Sequence, residues 1–181
     1  MQDAIDLLLE EHRQLMLPIH DLRRVVESMA ARGDAALPEA RSVLAEAALL
    51  MTTRLLEHAR KEDEALFPAL ERTLDRGHGP TAVLRAEHVD IEAQAQLFRR
   101  TVHELEHVEH AAIRAGGGAL AALAAGEGDA ARIVGLTREL IALLEAHFGK
   151  EEEILFPMAR QMLSAWELGE VARAMEALGP A

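Results

Sequence analysis

The sequence predicts an all-α protein, an up-down-up-down four-helix bundle with a short additional C-terminal helix. Apolar residues recur every three or four positions along four long segments, and glycine- or proline-containing stretches separate these segments. Half of the residues are apolar but only 3% are aromatic, and alanine, leucine, glutamate and arginine dominate, which favours helices over strands. The two halves of the chain also share a motif. We therefore expect a single domain over residues 1–181, made of two helical hairpins.

The first hairpin spans about residues 3–76. Its first helix is predicted to begin after Asp3, an N-cap residue, because apolar positions at helical spacing follow it. That helix should end near Gly33. The second helix should open at Pro38, a residue favoured in a first turn, and should end before Gly77.

The second hairpin spans about residues 81–163. Its first helix should follow Pro80 and end at the glycines 116–118, and its second should begin after a glycine-rich insertion, with Asp129 as N-cap. These four helices have the lengths and order of an up-down-up-down bundle.

A short C-terminal helix is predicted over residues 164–178. Ser164 and Glu167 have the spacing of a capping box, which marks the start of a helix. Trp166, the only tryptophan, is expected to anchor this helix against the bundle, because a single large aromatic in an amphipathic segment is usually buried.

Charge and composition exclude several classes of function. The formal net charge of −12 repels polyanions, so we expect neither nucleic acid nor an anionic membrane as a partner. The chain has no long apolar segment and no cationic start before an apolar run, which predicts a cytoplasmic protein. Because cysteine is absent, any metal must be bound by histidine and carboxylate side chains.

A motif with candidate metal-binding residues occurs in both halves of the chain. Residues 58–68 (HARKEDEALFP) match residues 147–157 (HFGKEEEILFP) without a gap, and Glu11-His12 matches Glu87-His88 more weakly. Each half thus contains a histidine, a loop and an HxxxE pair, as a duplicated hairpin would. All four histidines continue the apolar stripes of their helices, so their side chains should point into the core.

The HxxxE spacing places an imidazole and a carboxylate on one face of a helix, about 5–6 Å apart. Buried histidines satisfied by hydrogen bonds are the alternative, and for a single HxxxE pair we would prefer it. Two copies on four helices favour two metal ions instead, since each carboxylate of Glu62 and Glu151 has two oxygens that can bridge. The ferritin-like Glu-x-x-His pattern occurs only once and unpaired, which disfavours iron storage.

Lysine occurs only at Lys61 and Lys150, each immediately before a glutamate of an HxxxE pair. One interpretation is that both lysines descend from one ancestral hairpin without function. The alternative is that a cation beside each glutamate tunes the charge of the metal centre.

The order of these residues resembles the hemerythrin-like HHE domain family. The resemblance covers about residues 3–163 and implies a four-helix bundle with an oxygen-bridged, non-haem di-iron centre. It implies that His12 and His58 bind one iron, that His88 and His147 bind the other, and that Glu62 and Glu151 bridge the two. The expected metal ligands, with one further candidate in the third helix, are His12, His58, Glu62, His88, Glu92, His147 and Glu151.

This chain departs from the oxygen-carrying hemerythrins at two places. It has Glu92 where they have a fifth histidine, and it ends the motif with HxxxE rather than HxxxxD. These departures argue against reversible oxygen carriage. If Glu92 completes the His88/His147 iron, the other iron keeps an open position beside Met16, where an exogenous ligand would bind.

The expected function is a di-iron protein that binds or reduces oxygen, nitric oxide or peroxide in a sensing, detoxifying or redox role. A peroxidase, catalase or nitric-oxide-reducing enzyme is one alternative, and a structural metal site or an iron-handling protein is another. The expected partners are the small ligand itself and an unidentified protein or reductase. The ligand residues alone do not choose among these functions, because one ligand set serves all of them.

Overall fold

The computed structural model describes residues 2–74, 77, 79–114 and 129–179, and within these ranges it contains helices and no strands. The all-α prediction is confirmed. The glycines 116–118, the insertion that follows them and His78 lie outside the described residues. The helices are α1 (Ala4–Arg32), α2 (Leu37–Thr52), α3 (Arg54–Lys61), α4 (Phe67–Leu70), α5 (Pro80–Arg114), α6 (Asp129–Lys150), α7 (Phe156–Met162) and α8 (Ala165–Ala177).

Four arms form the bundle. The first is α1, the second runs from α2 to α4, the third is α5, and the fourth runs from α6 to α7. α1 packs against α2 and α6, and α5 packs against the same two helices, so each arm contacts its neighbours in the chain and the ring closes. Side-chain pairs show that α1 and the fourth arm are antiparallel, because Glu27 meets Arg138 near one end of α1 and His12 meets Glu152 near the other.

The second arm is broken at Thr53, where the sequence predicted a continuous helix. The backbone there leaves the helical region, with φ −121° and ψ −82°. The hydroxyls of Thr52 and Thr53 donate back to the carbonyl oxygens of Ala48 and Leu49, each at 2.8 Å. Such hydrogen bonds compete with the backbone and bend helices, which accounts for the break.

Each HxxxE motif ends in a short π-helical turn, Glu62–Leu66 in the second arm and Glu151–Leu155 in the fourth. In both, the N–H of the following phenylalanine donates to the carbonyl of the glutamate five residues earlier. A proline comes next in both copies, Pro68 and Pro157. Its ring would clash with the carbonyl four residues back in a regular α-helix, so the wider turn accommodates it.

The apolar core consists of two clusters separated by a layer of histidine and glutamate. The larger cluster fills the bundle between α1, α2, α5 and α6, and the smaller one lies at the end closed by α8. In α1, His12 lies between Leu8 of the smaller cluster and Leu15 of the larger one. The polar layer is therefore covered by apolar side chains on both sides.

The C-terminal helix α8 begins at the expected capping box, in which Glu167 N–H donates to Ser164 and Ser164 N–H donates to Glu167. The expectation for Trp166 was wrong, because this residue is 71% exposed. The face of α8 that packs on the bundle carries other residues, namely Leu168, Val171, Ala172 and Met175. Trp166 lies two positions before Leu168, which turns it to the opposite side of the helix. Within the described ranges, no helix is long and apolar enough to cross a bilayer.

Candidate metal centre

Four buried histidines, one from each arm, meet in the polar layer. The Nε2 atoms of His12 and His58 are 3.0 Å apart, and the centroids of these two rings are 4.7 Å apart. The rings of His88 and His147 have their centroids 4.8 Å apart. All four side chains are almost fully buried, so the helices bring together the histidines that the sequence motif singled out.

Two glutamates complete the layer, and both are fully buried. Glu151 lies between the two histidine pairs, because its Oε2 is 3.2 Å from His12 Nε2 and its Oε1 is 2.9 Å from His147 Nε2. Glu62 also reaches both pairs, since its Oε2 is 3.3 Å from His88 Nε2 and 3.9 Å from His58 Nε2. Each carboxylate thus spans the two sides of the site.

Five inner atoms of this layer lack hydrogen-bond partners. The four carboxylate oxygens of Glu62 and Glu151 and the Nε2 of His88 are buried, and their close contacts lack hydrogen-bond alignment. Leaving such groups unpaired in a dry core costs several kcal/mol each. The donor atoms form two groups in which all atoms lie within 4.8 Å of one another, Glu62/His88/His147/Glu151 and His12/His58/Glu151. Imidazole nitrogens and carboxylate oxygens in this arrangement fit two cations.

The outer nitrogen of every histidine is held by a second carboxylate. The four Nδ1 contacts are His12 to Glu152 at 2.8 Å, His58 to Glu11 at 2.9 Å, His88 to Asp63 at 3.0 Å and His147 to Glu87 at 2.9 Å. Such a contact fixes the ring orientation and points Nε2 at the centre of the site, as in metal-binding histidines generally. We call Glu11, Asp63, Glu87 and Glu152 the outer carboxylates.

The outer carboxylates follow a crossed pattern between the two hairpins. Glu11 and Glu87 each support the HxxxE histidine of their own hairpin, whereas Asp63 and Glu152 each support a histidine of the other one. The sequence pattern did not predict this role. It does contain a repeated feature that indicates it, because an acidic residue precedes the histidine in both α1 and α5, and another follows both Glu62 and Glu151.

The two lysines contact outer carboxylates rather than Glu62 and Glu151. Lys61 Nζ lies 2.5 Å from Glu11 Oε1, and Lys150 forms the equivalent pair with Glu87. The two pairs differ in burial, because the Lys61 side chain is 8% exposed and the Lys150 side chain is 45% exposed. Any effect of the lysines on the site would therefore pass through the outer carboxylates.

The ionisation of the layer without metal shows how its charges are balanced. Burial lowers the pKa of His88, but the facing carboxylates of Asp63, Glu151 and Glu62 outweigh it and raise this pKa to about 11. Burial and repulsion from Glu151 raise the pKa of Glu62. Burial also opposes ionisation of Glu151, but three imidazoles hold its pKa well below the usual range. Protonated imidazoles thus supply the positive charge that bound cations would replace.

Glu92 does not reach the site. Its side chain is exposed and belongs to neither donor group. Met16, at the matching position after His12, is half-buried and packs against the larger apolar cluster. The structure therefore gives no support to Glu92 as a sixth ligand, nor to an asymmetry between the two ion positions based on it.

Aromatic rings cover the histidines. Phe148 stacks on His12 with centroids 4.2 Å apart, and Phe67 stacks on His88 with centroids 5.6 Å apart. Phe148 has no aromatic counterpart, because the matching residue of the first hairpin is Ala59. The two halves thus enclose the polar layer with different side chains.

Comparison with protein families gives an independent result. Residues 3–107 and residues 101–178 match the family model described as the hemerythrin HHE cation binding domain. Together the two matches include all six histidines and glutamates of the polar layer. Comparison with curated proteins finds no similar sequence.

Proposed function

Because the chain belongs to the hemerythrin HHE cation-binding domain family, we propose that it is a non-haem di-iron protein that binds or reduces a small ligand. The observation that carries the proposal is the buried layer of four imidazoles and two carboxylates, in which the oxygens of both carboxylates and the Nε2 of His88 lack hydrogen-bond partners. Oxygen, nitric oxide and peroxide are the ligands we propose. When bound, an iron pair in this layer would supply one- or two-electron redox chemistry.

Six residues would hold the two ions. His12 and His58 would bind one ion, His88 and His147 the other, and Glu62 and Glu151 would bridge them. Iron accepts this mixture of nitrogen and oxygen donors. The outer carboxylates would keep each imidazole in the orientation that presents Nε2.

The surroundings support a small ligand. Apolar clusters cover the layer on both sides, which excludes water and leaves little room for a large substrate. We propose that the exogenous ligand binds beside His12 and His58, because that donor group has three members and the other has four. The proposed ligand position thus does not depend on coordination by Glu92.

The alternative functions differ in what the loaded protein does. An enzyme of peroxidase, catalase or nitric-oxide-reducing type would turn over many times per centre, whereas a sensor or carrier would bind once and reversibly. A structural site would react with none of these ligands. An unidentified reductase is a proposed partner for the redox role, and the cytoplasmic location stays a prediction that cell fractionation would test.

The decisive experiment begins with metal analysis of protein expressed with ample iron. We expect two irons per chain, and loss of most of the iron in His58→Ala. One iron or none in the parent protein, with no change in the variant, would contradict the proposal. Anaerobic reduction followed by oxygen, nitric oxide or peroxide, with optical spectra and turnover counts, then distinguishes enzyme from sensor and structural site.

A further inference from the structure

The two ion positions differ in how well the protein holds their ligands before any ion binds. On the His88/His147 side, four donor atoms from four residues lie within 4.8 Å of one another, whereas three do so on the His12/His58 side. Glu62 belongs to the first group and not to the second, and its Oε2 is nearer to His88 than to His58, at 3.3 Å against 3.9 Å. The first position thus has two carboxylates among its preformed donors and the second has one.

The imidazoles of the second position also contact each other. His12 Nε2 and His58 Nε2 form a hydrogen bond of 3.0 Å. An ion that binds both atoms must first break this hydrogen bond. In the described residues, no hydrogen bond joins the Nε2 atoms of His88 and His147. An ion that binds these two atoms therefore does not have to break one.

The carboxylate that supports His88 is itself held by Arg85. Arg85 Nη1 lies 3.2 Å from Asp63 Oδ1, the carboxylate that holds His88. The same guanidinium contacts Glu71 and lies 5.1 Å from the ring centroid of Phe67. Phe67 in turn stacks on His88, with 8° between the two ring planes. His12 is also stacked, on Phe148, so the difference between the two imidazoles lies in the carboxylates that hold their outer nitrogens.

The matching support of His12 has no such brace. Glu152 corresponds to Asp63 in the duplication, and its side chain is 47% exposed. No lysine or arginine in the described ranges contacts it. Leu9 stands at the position that matches Arg85. The other two outer carboxylates each pair with a lysine, so within the described residues Glu152 is the outer carboxylate without an arginine or lysine partner.

We propose that the two positions fill in sequence, with the first ion bound tightly by His88, His147, Glu62 and Glu151 and the second bound more weakly by His12 and His58. This inference rests on the proposed function. Ligands held in place before binding lose less conformational freedom when an ion arrives, which favours the braced position. Arg85 is a positioning residue for the tight position.

Stepwise loading of the metal-free protein tests the order. Chelated protein is titrated with Co²⁺ without oxygen, and binding is followed by calorimetry and by the visible spectrum of cobalt. We expect two resolved steps. Anomalous diffraction from crystals grown with one equivalent of Co²⁺ should place the ion between His88 and His147. An ion between His12 and His58, or two equally occupied positions, would overturn the inference.

The duplication supplies a matched pair of variants. Asp63→Asn should weaken the tight step by about 10–100-fold, as loss of an outer partner typically does, whereas Glu152→Gln should weaken only the second step. Arg85→Met should act like Asp63→Asn. Arg138→Met, which removes a distant surface pair with Glu27, should leave both steps unchanged.

The outcomes separate this inference from the proposed function. Binding of no iron and no cobalt by the parent protein would overturn both. Two ions bound with equal affinity, or a first step weakened by Glu152→Gln and not by Asp63→Asn, would overturn only the order of filling. If a variant does not fold, the diffraction experiment on the parent protein still decides.

Discussion

At the scale of single residues, Lys61 and Lys150 occupy matching positions of the repeat but differ in burial. The Lys61–Glu11 pair is buried, and the Lys150–Glu87 pair is half-exposed. Removing one partner of a buried pair leaves the other charge buried without a partner. This lowers the free energy of unfolding more than the loss of a surface pair does.

We therefore predict that Lys61→Met lowers the free energy of unfolding by about 2–4 kcal/mol and Lys150→Met by less than about 1 kcal/mol. Chemical denaturation of the metal-free variants measures both values. Equal losses would show that burial of the lysine does not matter.

The raised pKa of His88 makes the stability of the metal-free protein depend on pH. A pKa raised by folding stabilises the protein fully below the unfolded value of about 6.5, and this contribution is lost as the pH rises towards about 11. The melting temperature of the metal-free protein should therefore fall from about pH 7 to about pH 10.

His88→Gln is the control for this prediction, because glutamine does not titrate. Its melting temperature should change less over the same range. If parent and variant respond to pH alike, His88 is not the group responsible.

Phe148 should affect ligand binding more than Phe67 does. Phe148 stacks on His12, beside the proposed ligand position, whereas Phe67 stacks on His88. We predict that Phe148→Leu changes the affinity of the oxidised protein for azide several-fold, while Phe67→Leu leaves it nearly unchanged. Optical titration measures both, and the reverse result would assign the ligand to the His88/His147 ion.

At the scale of elements, helix α8 buries one face and leaves Trp166 in solvent. We predict that Trp166→Ala changes the free energy of unfolding by less than about 0.5 kcal/mol, since exposed side chains contribute little. Met175→Ala, on the buried face of the same helix, should cost about 2–5 kcal/mol. Ready quenching of the single tryptophan by acrylamide would agree with exposure, and a protected indole would contradict it.

Helical periodicity predicted the four arms and the inward direction of the four histidines, but it did not predict the position of Glu92. Four residues turn a helix by about 40°. His58 lies at one edge of its buried stripe, so this turn carries Glu62 to the middle. His88 lies at the opposite edge of its own stripe, so the same turn carries Glu92 into solvent. The same four-residue spacing thus buries Glu62 and exposes Glu92.

The outer carboxylates and the π turns were not predictable in this way. His12 and Glu152 are 140 residues apart, and only the packing of α1 against the fourth arm joins them. The π turns depend on a proline after each motif, and their extra width leaves the apolar pattern almost unchanged. Both features arise from contacts that a local pattern does not contain.

At the scale of the whole molecule, the polar layer joins all four arms, so its ions should stabilise the complete bundle. Without metal, protonated imidazoles balance the charge of Glu151. We predict that chelation lowers the melting temperature by several degrees, because ions bind the folded state and not the unfolded one. Calorimetry before and after chelation measures this, and an unchanged melting temperature would indicate a core satisfied by hydrogen bonds alone.

The crossed pattern of the outer carboxylates has a consequence for the ancestry of the chain. A lone hairpin could never complete the set of contacts, because one histidine of each hairpin takes its carboxylate from the other. Two identical hairpins related by a twofold axis would complete it, and they would necessarily hold two equivalent ions. Two copies joined in one chain are not bound by that symmetry. The matching positions of the two copies differ, with Arg85 in one and Leu9 in the other, and with Phe148 in one and Ala59 in the other. Two identical chains could not carry such differences.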